Sequence, residues 1–532
     1  MVAFSFSLLA LCSGLILGYG DAFTTADSSA AGNPKAILAD GPLIGTITRL
    51  ASAPTAVVNQ FLGVPFAAPP RRFEPPEYPK PWTRAYNATA YKPSCIQQFS
   101  SNSSEALFNS EQPPESEDCL YLNVFAPASK PTGRGRAVLF WIYGGNLQFG
   151  TARLSAYDGS SFAADQDVVV VTINYRTNVF GFATSPAIPF DKRNLAFLDQ
   201  RLALSWVQRN IRAFGGDPSR VTIFGESAGG YSVKQLFALP PPGPPQFRAA
   251  ILQSQGQGNP GTGLESWEAL AAALGCNSTT TTAASDKLAC VRAANATLIR
   301  AIISQAALPF PPTLDNATAT ARTELRMRAR TAAQVPLLVG NNANEGSIFA
   351  ATVPSAAALL SSLFGGDAAA AAAARRAYPA NASDLALRAQ IIGDANFNCF
   401  SRDFVREAAR DGYAAWRYYF NASFPNTRPF AGAGVWHSSE IQEVFGTFPR
   451  DAQTTRQQVE LSRYMQKAWG DFAKAVPGAP GWVKVGGGEA DLEVLGDVGG
   501  VEGLEGTAVV PAEVGVDDIC RIYEDVRMAV GL

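Results

Sequence analysis

Short runs of apolar, largely β-branched residues recur along the 532-residue chain, each nearly unbroken by polar side chains. They are RAVLFWIYG (Arg136–Gly144), DVVVVTINY (Asp167–Tyr175), RVTIFG (Arg220–Gly225), RAAILQS (Arg248–Ser254), VPLLVG (Val335–Gly340) and AAWRYYFNAS (Ala414–Ser423). A strand with one face in water alternates apolar and polar residues, whereas a continuous run suits a strand covered on both faces. Between the runs lie helical patterns. The clearest is NLAFLDQRLALSWVQRNIRAF (Asn194–Phe214), with Asn194 at the N-cap position and Gly215-Gly216 as the stop. This alternation predicts an α/β fold, a mostly parallel central sheet with helices on both faces. Apolar residues at 47% and charged residues at 17% are enough for a large core. A net charge of −2, with no basic patch, excludes a nucleic-acid-binding surface. Two segments read as decoration. Asp367–Pro379 is Ala-rich and predicts a solvent-side helix; Gly486–Gly506 is Gly-rich and acidic and predicts a flexible surface loop.

The N-terminus, MVAFSFSLLALCSGLILGYGDAF, carries an apolar run from Phe4 to Leu17. Gly20 and Ala22 suit the −3 and −1 positions of a cleavage site, so residues 1–22 read as a secretory signal peptide without the usual positive start. A membrane anchor would need a longer run, and this one is interrupted by Ser5, Ser7, Ser13 and Gly14. No stable membrane insertion is expected, and residues 23–532 read as a single domain. Cys12 would leave with the leader. Cys95, Cys119, Cys276, Cys290, Cys399 and Cys520 remain, an even number that suits disulfides in an exported chain. Six cysteines allow fifteen connectivities; short loops favour Cys95–Cys119 and Cys276–Cys290, which leaves Cys399 and Cys520. Asn-X-Ser/Thr sequons at Asn87, Asn102, Asn277, Asn295, Asn316, Asn381 and Asn421 are candidate glycosylation sites on a secreted protein.

His437 is the only histidine in the chain. With the cysteines paired, no His/Cys cluster is left for a zinc site. A proton shuttle near neutral pH therefore has one candidate. VTIFGESAGGYSVKQLF contains Gly225-Glu226-Ser227-Ala228-Gly229, the G-x-S-x-G pattern. The pattern alone is weak. Here it follows a predicted strand and opens a predicted helix, as a nucleophile elbow requires, because the tight turn exposes the serine hydroxyl and its flanking glycines let strand and helix approach. A serine needs a base, and the base needs an orienting acid, in chain order serine, acid, histidine. His437 follows Ser227 and is the candidate base. Glu345 follows the strand-like run Val335–Gly340 and is the leading acid; Asp315 and Asp367 also lie in the interval but follow no such run. Gly144 and Gly145 end an earlier strand and are candidates for backbone oxyanion donors; the N–H of Ala228 is the expected second donor.

Taken together, these residues resemble the type-B carboxylesterase/lipase family, which includes fungal esterases, lipases, sterol esterases and cholinesterases. The likeness runs through FLGVPFAAPPRRF, SEDCLYLNVF (Ser116–Phe125), INYRTNVFGF, FGGDPSRVTIFGESAGG, ILQSQ, NEGSIF and WHSSEI, in order. It implies an α/β-hydrolase fold, no cofactor, and a small-molecule or lipid ester as substrate. It assigns Ser227 as nucleophile, Glu345 as acid and His437 as base, with Gly145, Asn146 and Ala228 as the oxyanion hole. It places Ser254 near the acid as a hydrogen-bonding support and implies the disulfides Cys95–Cys119, Cys276–Cys290 and Cys399–Cys520. Two departures matter. The family's oxyanion loop reads Gly-Gly-Gly, and here it is Gly144-Gly145-Asn146. The Cys95–Cys119 loop has no tryptophan, the residue with which cholinesterases bind a quaternary amine, and it is shorter and more polar than a lipase lid. An esterase is therefore the first reading. A triacylglycerol lipase or sterol esterase is the alternative, followed by an esterase-like binding protein without activity. Phe99 and Phe108 in that loop are candidate substrate contacts, although core packing is the commoner role of such rings.

Overall fold

The computed structural model describes residues 32–524, apart from 52, 109–111, 257, 259–261, 278–282, 476–477, 489, 497–506 and 511–515; the expected leader lies outside them. Residues Pro34–Leu532 group as one compact unit. The apolar runs become the strands of an 11-stranded sheet. In chain order these are β1 (Thr46–Leu50), β2 (Ala53–Pro65), β3 (Tyr121–Pro127), β4 (Arg136–Ile142), β5 (Val169–Ile173), β6 (Gly216–Glu226), β7 (Ala249–Gln253), β8 (Leu337–Asn342), β9 (Ala415–Asn421), β10 (Leu492–Gly496) and β11 (Thr507–Val510). Across the sheet the order is β11-β10-β9-β8-β7-β6-β4-β5-β3-β2-β1. The pairs from β10 through to β5 are parallel, and both flanks are antiparallel. Every residue of β4, β5, β7 and β8 is buried, as expected of strands covered on both faces.

On one face, Trp141 of β4 and Phe224 of β6 pack with Tyr157, Phe162 and Phe445. Burying a ring such as Phe224 contributes about 2 kcal/mol. A long helix, Arg456–Lys474, extends this layer, and its Trp469 donates to the Gln253 side chain and packs on Tyr418. Three further helices place functional residues: α1 (Leu195–Asn210), α2 (Ala228–Ala238) and α3 (Cys399–Arg410). Phe237 of α2 meets Phe404 of α3 edge-on. The disulfides are Cys95–Cys119, Cys276–Cys290 and Cys399–Cys520, the pairing the resemblance implied.

Two expectations need correction. The Gly-rich segment Gly486–Gly506 is not a loop throughout: Leu492–Gly496 is the wholly buried strand β10, parallel to β9. Leu492 and Val494 pack against Tyr419 and Val516, while Leu495 joins the main core. Counting glycines hid five residues with strand spacing; residues 497–506 lie outside the described residues. At α1, Asn194 occupies the N-cap position but makes no side-chain cap hydrogen bond. Its amide donates to Thr313 O and Thr318 Oγ1, and its carbonyl accepts from Thr313 N, so it pins a distant loop instead. The Ala-rich segment is a helix, Ala368–Arg376, capped by Asp367 and mostly exposed. The sequence reading overlooked the antiparallel strands β1 to β3, whose polar interruptions blur the pattern. Among the sequons, Asn87, Asn277, Asn295, Asn316 and Asn381 are exposed and Asn421 is half-buried; the Asn102 side chain lies outside the described residues.

Candidate active site

Ser227 sits between β6 and α2 with φ 55° and ψ −122°. A side chain in this region is strained, and the strain is held by packing on both sides. A Cβ at Gly229 would overlap the Ile142 carbonyl, and one at Gly225 would come within 2.6 Å of the same oxygen. The glycines therefore let α2 lie against β4, which fixes the turn. The Ser227 N–H donates to Gln253 O at 2.9 Å, tying the turn to β7.

The acid and the base arrive on separate loops. Glu345 follows β8 and accepts from Asn342 N–H at 2.6 Å. His437 follows β9 on a loop joined to the first by two hydrogen bonds of Asn344: its backbone N–H donates to Val435 O, and its side-chain Oδ1 accepts from Val435 N–H. His437 is 3% exposed and Glu345 1%. His437 Nδ1 lies 2.5 Å from Glu345 Oε2, a buried pair in which the ring nitrogen donates to the carboxylate. The competing acids are used elsewhere. Asp315 accepts from the N–H groups of Ala317, Thr318 and Ala319, and Asp367 caps its helix.

The other ring nitrogen shows what the sequence reading missed. Nε2 lies 3.2 Å from Oε1 of Glu226, the residue just before the serine. Ser438 Oγ donates to the same oxygen at 2.6 Å. Among the described residues no hydrogen bond joins Ser227 Oγ to His437. A third carboxylate, Glu440, is buried behind the pair, accepting from Asn342 Nδ2 at 2.6 Å and Gln253 Nε2 at 3.1 Å. Burial alone would lower the His437 pKa; the charges of Glu226 and Glu345, with the Glu345 hydrogen bond, outweigh it and push the imidazole up. Burial raises Glu226, opposed by the His437 charge and the Ser438 hydroxyl. The Glu226 charge thus raises the proton affinity of the imidazole, while the Ser438 hydroxyl and the imidazole hold down that of Glu226. The G-x-S-x-G pattern leaves this glutamate's position unspecified, so nothing in the sequence distinguished it.

The loop after β4 runs through three left-handed residues: Gly145 (φ 103°), Asn146 (φ 54°) and Leu147 (φ 59°). The Gly145 carbonyl accepts from Gln148 and Phe149, which curls the loop. A Cβ at Gly144 would lie 2.9 Å from Ser227 Cβ and 2.7 Å from Glu226 Oε2, so this loop presses directly on the serine. The N–H groups of Gly145, Asn146 and Ala228 make no hydrogen bond among the described residues. Asn146 is exposed. Phe99 and Phe108 both pack on Phe149 of this loop, with ring centroids at 4.5 and 5.0 Å. On the other side, Phe349 and Phe397 lie 5.2 and 4.8 Å from the His437 ring.

Ser254 lies at the end of β7 with φ 45°. Its N–H donates to Gly340 O, but its buried hydroxyl has no hydrogen-bond partner among the described residues. Among the described residues Ser254 therefore links β7 to β8 through its backbone alone.

Comparison with known proteins covers most of the chain. The sequence pattern of the carboxylesterase family matches residues 33–482. An acetylcholinesterase of Bungarus fasciatus is 33% identical over 460 residues, 78% of this chain and 75% of that protein. A cholinesterase of Mus musculus is 33% identical over 464 residues, with the same two shares. A fumonisin B1 esterase of Sphingopyxis macrogoltabida is 34% identical over 445 residues, 80% of this chain and 79% of that protein.

Proposed function

Because the chain belongs to the carboxylesterase family, we propose that it hydrolyses uncharged carboxylic esters of modest acyl length through an acyl-enzyme on Ser227. The observation that carries this reading is the buried Glu345–His437 pair beside a strained serine turn. Ser227 Oγ attacks the ester carbonyl as His437 Nε2 takes its proton. Glu345 holds Nδ1–H, so the imidazole keeps the tautomer that leaves Nε2 for the serine. The N–H groups of Gly145, Asn146 and Ala228 stabilise the oxyanion, each such donor contributing about 3 kcal/mol. His437 then protonates the leaving alcohol, and water deacylates the serine by the reverse steps.

Two of the relatives are named cholinesterases. Choline is a quaternary ammonium, and its recognition rests on an aromatic face. The Cys95–Cys119 loop offers no tryptophan, and its Phe99 and Phe108 turn to Phe149, an apolar wall beside the oxyanion loop. Uncharged acyl or alcohol groups suit that wall better. The disulfides support an oxidising compartment, in keeping with secretion and with residues 1–22 as a removed leader before one catalytic domain. Among the described residues no helix is long and apolar enough to cross a membrane.

The test joins a fluorophosphonate probe to p-nitrophenyl esters from acetate to palmitate. Labelling at Ser227, abolished in Ser227→Ala, with turnover greatest on the short esters, is the expected outcome. Absence of labelling in folded protein would leave a binding protein. Preference for palmitate, enhanced at an oil–water interface, would make the chain a lipase or sterol esterase.

A further inference from the structure

The base has a neighbour whose position is set from the far end of the chain. Between the helix Asp384–Gly393 and α3, residues Asp394–Asn398 form a π-helical turn. Such turns are uncommon and interrupt the regular ladder, so they need external support. This one carries Phe397, whose ring lies 4.8 Å from the His437 ring and stacks on Phe349 at 6.1 Å and 10°. The next residues are tied to the C-terminal segment. Asn398 Nδ2 donates to Val516 O at 2.8 Å, and Cys399 is bonded to Cys520. Arg417 of β9 makes a two-pronged pair with Asp517, at 2.6 and 2.9 Å, and donates to Asn398 Oδ1 at 2.9 Å. Asn398, Arg417 and Asp517 are all buried. At the start of the turn, Tyr378 donates to Asp394 at 3.1 Å and shares a 2.5 Å hydrogen bond with Tyr523. Residues 516–524 therefore grip both ends of the turn that presents Phe397.

We propose that this C-terminal strap is a positioning element of the active site, acting through Phe397 on the imidazole of His437. The proposal rests on the assignment of His437 as base. A carboxylate at each ring nitrogen fixes the edges of the imidazole, but edges alone leave the ring free to tilt. Phe349 and Phe397 restrain the tilt; the turn after Phe349 is held by Arg388, which donates to Ala350 O at 2.9 Å, and the turn bearing Phe397 is held by the C-terminal strap. Loss of the strap's grip lets Phe397 retreat, and the Nε2 lone pair then spends less time aimed at the serine.

A double-mutant cycle in kcat tests this. Phe397→Ala lowers kcat on p-nitrophenyl butyrate by about tenfold or more with KM little changed, because misplacement rather than binding is affected. Phe397→Leu, which keeps most of the bulk, restores much of the loss. Asp517→Asn, far from substrate, lowers kcat by a similar factor, and combining it with Phe397→Ala adds nothing further, since both act through one ring. If Asp517→Asn does not fold, the paired change Arg417→Met with Asp517→Leu removes both fully buried charges together, leaving Arg406, 3.8 Å from Asp517, partly open to water, and it takes the same place in the cycle. Multiplying effects, or an unchanged kcat in the folded strap variant, would overturn the proposal. Fluorophosphonate labelling of wild type at Ser227 keeps the two readings apart: without it the esterase assignment fails, and with it only the strap is at issue.

Discussion

The two sides of the candidate site are built from opposite materials. On the base side, three carboxylates and one imidazole are packed out of water, and each carboxylate has a named hydrogen-bond partner. On the proposed oxyanion side, the loop Gly144–Leu147 carries no charged side chain of its own and runs through left-handed backbone, and the N–H groups of Gly145 and Asn146 make no hydrogen bond among the described residues. A buried charge network is sensitive to the removal of any member, because the remaining charges lose compensation in a low-dielectric setting. A backbone hole is indifferent to side-chain chemistry and sensitive to any change in backbone path.

The largest expected effects are on the base side. His437→Ala and Glu345→Gln each lower kcat on p-nitrophenyl butyrate by about 10³-fold or more, by analogy with triads elsewhere. An effect under about tenfold for Glu345→Gln would mean that Glu226, not Glu345, orients the ring. Next comes the oxyanion loop. Gly145→Ala lowers kcat by about 10²-fold, because its Cβ would overlap Phe149 and φ 103° suits only glycine. Asn146→Gly keeps both the N–H and the backbone angle, so short-ester turnover stays within about threefold. A large loss there would show that the Asn146 carboxamide itself takes part.

A pH profile separates the two carboxylates. Glu226 and Glu345 both raise the His437 pKa, and activity needs the neutral base. Removing one negative charge in Glu226→Gln lowers that pKa. The ascending limb of kcat/KM then moves to lower pH, by about one unit for a partner at this distance. A limb that stays in place, or moves up, would mean that Glu226 is protonated in the working enzyme. The smallest effect is expected at Ser254. Among the described residues its hydroxyl has no partner to lose, so Ser254→Ala leaves the thermal midpoint unchanged or slightly raised in calorimetry. A marked loss would reveal a hydrogen bond formed only when substrate is bound.

Several parts were legible in the sequence for local reasons. The β6–α2 elbow was readable because its stereochemistry needs glycines at fixed offsets from Ser227, and such needs leave a mark in consecutive residues. The strands β4 to β9 were readable because burial on both faces demands unbroken apolar runs. β10 escaped because five strand residues stood among glycines and were judged by the neighbours' composition. Asn194 has the right residue type for a cap, yet its amide found stronger partners in a loop more than a hundred residues away.

The sequence by itself determined which groups could do the chemistry. One histidine leaves a single candidate base, and one serine elbow leaves a single candidate nucleophile. The tertiary structure decided what surrounds them. Glu226 is adjacent to Ser227 in the chain, but its approach to Nε2 depends on where a loop 211 residues later closes (437 − 226). The grip of residues 516–524 on the turn bearing Phe397 depends on three segments meeting. Residue type and short spacing are fixed along the chain, whereas the field at His437 is a sum over charges brought close only by folding.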